Sequence, residues 1–261
     1  MAYDIVIPLK EQEPNPDLVY TLRSIDKFGG EHGDIYIVGH KPEGIVNIKH
    51  LETEQTGSKW ENSLLNRVRA CEEPSVSDKF ILFNDDFFLT VPVDDWDKAT
   101  NMHCGTLLSN AEELERKGFK VSVWRQGFRQ THNILVELGV ERPLSYEYHG
   151  PMLIDKKGFL EVVEFIKQYK EKSPSVLIFP RSLYGNLHQR RDVADAVYTR
   201  DTKARGDATS EQFLYRNGFF SVKDKVTTNP HLYPRINAWL QSNLSEQCRY
   251  EAYPYFATSS V

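Results

Sequence analysis

The stretch 79-KFILFNDDFFLTVPV-93 sets two adjacent carboxylates between two runs of apolar residues. The run before them is almost entirely apolar, which is typical of a β-strand covered on both faces. Asn and Asp often end strands by hydrogen-bonding the following turn, so Asn84-Asp85-Asp86 can be a simple turn. Adjacent charges between buried segments, however, repel each other and lose hydration. Both effects are costly unless a cation compensates the charges. The stretch therefore indicates either a turn or a site for a hard divalent cation such as Mg²⁺ or Mn²⁺.

Upstream of this stretch, the apolar pattern predicts alternating strands and helices. The predicted strands are 3–9, 34–40, 46–52 and 80–86, and the predicted helices are 17–28, with Asp17 as its cap, and 59–71. The order β-α-β-β-α-β indicates an α/β sheet of largely parallel strands. Ligands of such sheets bind at the carboxyl ends of the strands, which is where Asn84–Asp86 falls.

The second half of the chain is less regular. Helices are predicted near 110–118, 124–139, 156–171, 209–217 and 235–243. Residues 181–211 carry many charges and few apolar side chains, and we interpret them as a long connection or mobile arm. We place the mobile connection near 181–208. No linker composition separates two domains. We therefore expect a single domain over 1–261, with halves at 1–93 and 94–261.

The composition bears on partners and location. The chain of 261 residues has a formal net charge of -5, so nucleic-acid binding would need a local basic patch. Its three cysteines show no CxxC or short Cys/His spacing, so neither a disulfide framework nor a zinc knuckle is indicated. The first residues lack the pattern of a signal peptide, and no apolar run approaches membrane-spanning length. We expect a cytoplasmic protein without a membrane span.

Three segments together resemble a known family. FILFNDDFFL is similar to the metal-binding DxD-type segment of GT-A glycosyltransferases, which use a nucleotide-sugar donor. The segment 4-DIVIPLK-10 resembles their first strand and nucleotide-contacting loop, and 57-GSKWENSLLNRVRAC-71 resembles the helix that approaches the donor nucleotide. The resemblance implies a GT-A-like, three-layer α/β/α fold with a mostly parallel central sheet and an elaborated C-terminal part. Half 1–93 would bind the nucleotide sugar, and half 94–261 would bind the acceptor.

The same resemblance implies roles for individual residues. Asp86, with Asp85 close by, would coordinate Mn²⁺ or Mg²⁺ between the donor phosphates, and the ion would neutralise the departing diphosphate. The residues implied to contact the nucleotide sugar are Pro8, Lys10, Lys59, Asn62, Asn84 and Asp85.

A second, local resemblance is to stealth-type sugar-phosphate transferases. These carry an LRSI-like helix, an I-x-I-V strand and an FNDD-x-FL segment, matched here by 22-LRSI-25, 35-IYIV-38 and 83-FNDDFFL-89. This resemblance implies transfer of a sugar-1-phosphate to a glycan. The two activities differ in the bond cleaved, which is C–O at the anomeric carbon in the first and P–O within the diphosphate in the second.

Residues 146-YEYHGPMLIDKKGF-159 contain a further candidate, His149. A lone histidine is more often a structural hydrogen-bonding group than a ligand, but Gly150-Pro151 indicates a tight turn. The stealth family has a similar H-x-P element. This likeness implies that His149 contacts metal, phosphate or acceptor, and Glu147 is a lesser candidate base on the same strand face.

A third candidate group lies in 207-DATSEQFLYRNGFF-220. Ser210-Glu211 can be an ordinary helix start, since the helix dipole favours an acidic residue in the first turn. GT-A enzymes place an acidic residue at the start of a helix below the acceptor. That resemblance implies that Glu211 is the general base if the transfer inverts configuration, with Asp207 as the fallback.

Basic residues punctuate the long connection. They are Arg181, Arg190, Arg191, Arg200, Lys203 and Arg205. They can form a solvated surface, a flap that pairs with the donor diphosphate, or a patch for a polyanionic acceptor such as DNA. The net charge of the chain does not favour DNA.

We therefore predict a metal-dependent glycosyltransferase of the hexosyltransferase class. Its first candidate donor is a UDP-sugar, and its acceptor is a glycan or another hydroxyl compound. The alternatives are a stealth-like sugar-1-phosphate transferase, a glycosyltransferase acting on modified bases of DNA, and a non-catalytic nucleotide-binding module.

Overall fold

The computed structural model describes residues 2–11, 15–118, 123–189, 197–199, 203–204, 217–222, 227, 231 and 233–254, without the side chains of Lys59 and Ala204. In chain order the strands are β1 (Asp4–Leu9), β2 (Ile35–Gly39), β3 (Lys49–Leu51), β4 (Lys79–Leu82), β5 (Phe87–Leu89), β6 (Met102–His103), β7 (Met152–Asp155), β8 (Val197–Tyr198), β9 (Lys203–Ala204) and β10 (Phe219–Val222). The helices are α1 (Pro16–Phe28), α2 (Lys59–Glu72), α3 (Trp96–Ala99), α4 (Leu107–Arg116), α5 (Val123–Glu137), α6 (Lys156–Lys172), α7 (Pro180–Leu187) and α8 (Pro234–Leu244).

Backbone proximity divides the chain into two compact units. Unit 1 comprises residues 1–100, 149–153 and 202–261, and unit 2 comprises residues 101–148 and 154–201. The expectation of a single domain with halves at 1–93 and 94–261 stays a prediction.

Unit 1 is built on a five-stranded sheet with the order β3-β2-β1-β4-β7. Strand β1 pairs in parallel with β2 and with β4, and β2 pairs in parallel with β3. The interior strands consist of buried apolar residues such as Ile5, Ile37 and Ile81, as a sheet covered on both faces requires. The predicted β-α-β-β-α-β order, the mixed α/β class and the mostly parallel central sheet are confirmed.

The cap of helix α1 lies two residues before the predicted one, Asp17. Asn15 is the N-cap, because its Oδ1 accepts a hydrogen bond from Leu18 N at 3.1 Å, and Pro16 occupies the first turn, where its missing N–H costs nothing. Asp17 therefore lies inside the helix, and its assignment as the cap was wrong. After the helix, Gly30 has a φ of 57°, and a Cβ there would collide with the carbonyl oxygen of Val93.

The residues after the Asn-Asp-Asp turn enter a different sheet of unit 1. Strand β5 pairs antiparallel with β10, placing Phe88 opposite Phe220, and β10 pairs in parallel with β9. Both phenylalanines are fully buried in a cluster with Tyr20 of α1 and with Trp239 and Leu240 of α8. The turn is thus held between two sheets, and its position depends on the cores of both.

Unit 2 is mainly helical. Helices α4, α5 and α6 confirm the predictions near 110–118, 124–139 and 156–171, and α8 of unit 1 confirms the one near 235–243. Ring contacts of Phe179 with Trp124 and Phe128, at centroid distances of 4.7 and 4.9 Å, pack α7 against α5. Residues 209–216 of the remaining predicted helix lie outside the described residues.

The interpretation of 181–208 as a mobile connection is wrong at its start. Helix α7 occupies residues 180–187, and Arg181 to Asn186 are buried. Polar side chains are accommodated there because each has a partner: the Arg181 guanidinium lies 5.1 Å from the ring centroid of Tyr148, and Asn186 Nδ2 donates to Leu144 O at 2.8 Å. Most of the remaining segment lies outside the described residues.

Candidate functional site

The strand order of the central sheet reverses between β1 and β4. From β1 the chain adds β2 and β3 on one side, and it then places β4 on the other side of β1. Open α/β sheets bind ligands beyond the carboxyl ends of their strands at such a reversal. Pro8 and Lys10 lie at the carboxyl end of β1, and Asn84, Asp85 and Asp86 follow that of β4, so the structure brings these predicted residues to one edge.

Helix α1 holds Asp85. Asn15, itself buried, donates from Nδ2 to Asp85 Oδ2 at 3.1 Å while its Oδ1 caps the helix. The hydroxyl of Thr21 lies 2.7 Å from Asp85 O and 3.0 Å from Phe87 O. The first turns of α1 thereby position both the side chain and the backbone of the acidic turn, at the end of the helix where its dipole favours negative charge.

Asp86 is held by the second sheet of unit 1. Ser221 Oγ of β10 donates to Asp86 Oδ2 at 2.9 Å, and the Lys203 ammonium of β9 lies 3.4 Å from the same oxygen. The other carboxylate oxygen, Oδ1, is buried and has no hydrogen-bond partner among the described residues. A buried carboxylate oxygen without a hydrogen-bond partner is costly, and a bound ion or an ordered water is the usual compensation for it.

The two carboxylates are poorly compensated. Burial raises the pKa of Asp85, the negative charge of Asp86 raises it further, and the Asn15 hydrogen bond and the charge of Lys10 lower it again. The result is a pKa of Asp85 of about 6. An added cation would offset both the cost of burying the two charges and the repulsion between them.

The donor set of the turn fits Mn²⁺ or Mg²⁺. Both ions prefer carboxylate oxygens, and Asp86 Oδ1 is an available one. Within the described ranges, no group of three or more His, Cys, Asp or Glu side chains could hold a metal ion. The chain would thus supply one or two carboxylates and leave the other positions to water or substrate phosphate, which is the usual arrangement for Mg²⁺.

The predicted nucleotide-contacting residues fall in two places. Pro8 is half-buried in β1, Lys10 is exposed, and Asn84 is half-buried beside the two aspartates. The charge of Lys10 acts on the Asp85 carboxyl, so this ammonium lies within electrostatic range of the site. Binding of a nucleotide by these residues stays a prediction.

The other two are on α2. Asn62 binds the chain before the helix, accepting from Gly57 N and donating to Gly57 O, both at 3.0 Å. Lys59 is the first residue of α2, and its side chain lies outside the described part of the structure. A structural role is therefore visible for Asn62, and its contact with a nucleotide stays a prediction.

His149 is half-buried and belongs to unit 1, in the segment that leads into β7. The structure does not bring it together with Asp85 and Asp86 as a three-ligand group. Its roles as catalytic residue and metal ligand stay predictions. Glu147 accepts hydrogen bonds from Ser182 N at 3.1 Å and from Ser182 Oγ at 3.0 Å, so this carboxylate is used to hold the first turn of α7.

Both residues proposed for base catalysis, Glu211 and Asp207, lie outside the described residues. Of the six basic residues in the connection, the structure describes Arg181, which is buried against Tyr148, and Lys203, which contacts Asp86. The described members therefore do not lie on an exposed basic patch.

Sequence reasoning missed three residues of the site: Asn15, Thr21 and Ser221. Asn15 had a usable signal, since Asn-Pro before an apolar helical pattern is a common helix start. Ser221 had none, because its contact with Asp86 joins residues 135 positions apart.

No family model matches the chain, and no curated protein matches its sequence. Solved structures similar to it include galactosyltransferase LgtC in complex with donor and acceptor sugar analogs, with a TM-score of 0.43 and 11% identity over 70% of each chain. The apo form of glycosyltransferase GlyE in Streptococcus pneumoniae gives a TM-score of 0.38 and 12% identity over 77% of this chain and 46% of that one. Mouse xyloside xylosyltransferase 1, also in apo form, gives a TM-score of 0.41 and 9% identity over 85% of this chain and 97% of that one. At this level of similarity, an activity has to be argued from the residues of this chain.

Within the described part of the chain, we find no helix with the length and apolar character that crossing a membrane requires.

Proposed function

We propose that this chain is a GT-A-type glycosyltransferase that moves a sugar from a nucleotide diphosphate sugar to an acceptor hydroxyl. The observation that carries the proposal is Asp86 Oδ1, which is buried and has no hydrogen-bond partner in the described part of the chain. It lies beside Asp85, at the reversal of strand order between β1 and β4. A diphosphate is the substrate group that such a site suits, since its oxygens would share a divalent ion with the two carboxylates.

Asp86, with Asp85, would hold Mn²⁺ or Mg²⁺. When bound, the ion supplies Lewis-acid stabilisation of the departing diphosphate. Asn15 and Thr21 keep Asp85 in position, and Ser221 keeps Asp86 in position, so the carboxylates need little reorganisation to bind.

Other residues of the chain would orient the donor and activate the acceptor. Lys10, at the carboxyl end of β1, would add positive charge near the diphosphate, because its charge acts on the Asp85 carboxyl. Pro8 and Asn84 would contact the nucleotide sugar. Glu211 would take the proton of the acceptor hydroxyl in an inverting transfer, with Asp207 as the alternative base. His149 would contact phosphate or acceptor.

The testing experiment measures which nucleotide is released. The protein is incubated with UDP-glucose, UDP-galactose or UDP-N-acetylglucosamine, Mn²⁺ and a panel of glycan acceptors, and the nucleotides are separated by chromatography. Release of UDP, abolished by EDTA and by Asp86→Asn, is the expected result.

The alternatives give different products. Release of UMP identifies sugar-1-phosphate transfer and overturns the proposal. Mn²⁺-dependent UDP binding without turnover of any donor identifies a non-catalytic nucleotide-binding module. Transfer that occurs only with duplex DNA containing hydroxymethylated bases identifies the DNA-modifying alternative.

A further inference from the structure

Lys203 contacts Asp86, the carboxylate proposed to hold the metal ion. It lies on β9, the edge strand of the β5-β10-β9 sheet, in register with Ser221 on β10. Both side chains reach Asp86 Oδ2, the serine hydroxyl at 2.9 Å and the ammonium at 3.4 Å. The lysine and aspartate side chains are only 20% and 16% exposed, so solvent screens the pair weakly.

The ion pair between Lys203 and Asp86 is loose. Charge-assisted N–H···O hydrogen bonds are usually about 2.7–2.9 Å long, and this contact is longer. The lysine neutralises part of the charge on Asp86 and leaves Oδ1 without a partner in the described structure. Its compensation of the acidic turn is therefore incomplete.

A divalent ion on Asp86 and the ammonium of Lys203 would repel each other. Both would lie within a few ångströms of one carboxylate in partly buried surroundings, where repulsion between like charges is far stronger than in water. A lysine has a flexible stem and can leave without disturbing its backbone.

We propose that Lys203 is an internal counter-cation for Asp86 that a divalent metal ion must displace, so that this lysine sets the metal affinity of the site. This inference rests on the metal-binding part of the proposed function. It assigns Lys203 a role in the metal-free protein, where the lysine keeps the acidic turn assembled without an ion. A metal ion binds only if its binding free energy exceeds that of the lost contact between Lys203 and Asp86.

The test measures Mn²⁺ affinity directly, without nucleotide or turnover. Free Mn²⁺ is followed by electron paramagnetic resonance during titration of the wild type, Lys203→Met, Lys203→Arg and Lys98→Met. Methionine keeps the length of the side chain and removes the charge. Lys98 is the matched control, because it loses the same charge from a lysine that is 87% exposed and pairs with Asp95.

Lys203→Met is expected to bind Mn²⁺ about three- to tenfold more tightly than the wild type. Lys203→Arg, which keeps the charge, and Lys98→Met are expected to stay close to the wild type. In EDTA, Lys203→Met should melt at a lower temperature than the wild type, and Mn²⁺ should raise its melting temperature more, because binding to the folded state stabilises it.

A second measurement needs no variant. Lysine acetylation in the wild type is followed by mass spectrometry with and without Mn²⁺. If the ion displaces Lys203, its acetylation accelerates in Mn²⁺ while that of Lys98 does not change.

The possible failures are distinguishable. Equal or weaker Mn²⁺ affinity of a folded Lys203→Met, or Lys203 acetylation that ignores Mn²⁺ while the wild type binds it, overturns the inference and leaves the proposed function standing. If neither protein binds Mn²⁺, the metal site itself is wrong, and the metal-dependent part of the proposed function falls with it.

Discussion

Arg23 of α1 and Glu251 form a buried, bidentate ion pair across 228 positions of the sequence. Arg23 Nε and Nη2 donate to the two carboxylate oxygens of Glu251, both at 2.7 Å, and the side chains are 3% and 1% exposed. The remaining guanidinium nitrogen, Nη1, donates to Leu244 O and Ser245 O at 3.0 Å. The pair therefore ties α1, whose first turns position Asp85, to the segment that follows α8.

Removal of Arg23 should destabilise the protein strongly. Arg23→Met leaves the Glu251 carboxylate buried without its counter-ion, which costs about 3–5 kcal/mol of the free energy of unfolding. Urea unfolding measures this cost. The control is Arg249→Met, because the Arg249–Asp26 pair is exposed at the arginine, and its loss should cost about 0–1 kcal/mol. If both variants lose the same small amount, the buried pair does not hold α1 in place.

The same pair predicts a dependence of stability on pH. Burial alone would raise the pKa of Glu251, but hydrogen bonds from Arg23 and Cys248 N and the charge of Arg23 outweigh it, and the pKa is lowered. A carboxyl with a lowered folded-state pKa stabilises the protein above its ordinary pKa of about 4.3, and this contribution disappears as the pH falls towards the folded-state pKa.

Urea unfolding of the wild type and Glu251→Gln at several pH values measures this contribution. The free energy of unfolding of the wild type should exceed that of the variant most at neutral pH, and the difference should shrink below about pH 4.3. A difference that is constant with pH would show that the Glu251 charge contributes nothing.

These contacts show why the sequence predicts some parts of the molecule well. The central sheet and its helices follow from local periodicity, because strands such as β1 and β4 are apolar and α1 and α2 carry their own caps. Asp85 and Asp86 could be singled out because carboxylates between apolar runs contradict the local pattern.

The other parts depend on distant contacts. The polar residues of α7 are typical of a loop when only the local sequence is considered. They are buried in a helix because the partners of Arg181 and Asn186 come from elsewhere in the chain. The contacts of Asp86 with Lys203 and Ser221 span 117 and 135 positions, and no local spacing encodes them. Sequence reasoning therefore finds the acidic centre of the site but misses the residues that hold it.

Asp86→Asn should remove metal-dependent nucleotide binding. Asparagine keeps the shape of the side chain and its acceptor for Ser221, but it has no charge to hold a divalent ion. We expect UDP affinity in Mn²⁺ to fall by at least about tenfold, while the weak affinity in EDTA stays the same. Titration calorimetry measures both values. Asp94→Asn, which removes an exposed acid of unit 1, is the control and should not change UDP affinity. Unchanged UDP affinity of Asp86→Asn in Mn²⁺ would exclude a metal at this position.

Asn15 should contribute to both folding and the site. Asn15→Ala loses the cap of α1, at a cost of about 1 kcal/mol, and also the hydrogen bond to Asp85. Asn15→Asp keeps an oxygen for Leu18 N but faces Asp85 with a like charge in place of a donor. Both variants should weaken Mn²⁺-dependent UDP binding by about tenfold.

The control for this pair of variants is Thr106→Ala, which removes the cap of α4 and should lower only stability. Calorimetric titration and thermal melting of all three separate the two effects. If Asn15→Asp binds UDP with wild-type affinity in Mn²⁺, Asn15 only caps the helix.

Glu211 provides the test of acceptor activation. If it is the general base of an inverting transfer, Glu211→Gln keeps the size of the side chain and loses the proton acceptor, so kcat should fall by about 10²–10⁴. The affinity for UDP in Mn²⁺ should not change, because the base acts on the acceptor and not on the donor. Glu112→Gln, on the exposed face of α4, is the matched control and should keep full activity. A kcat of Glu211→Gln within about twofold of the wild type would remove Glu211 from this role. The corresponding variant Asp207→Asn would then decide whether Asp207 is the base.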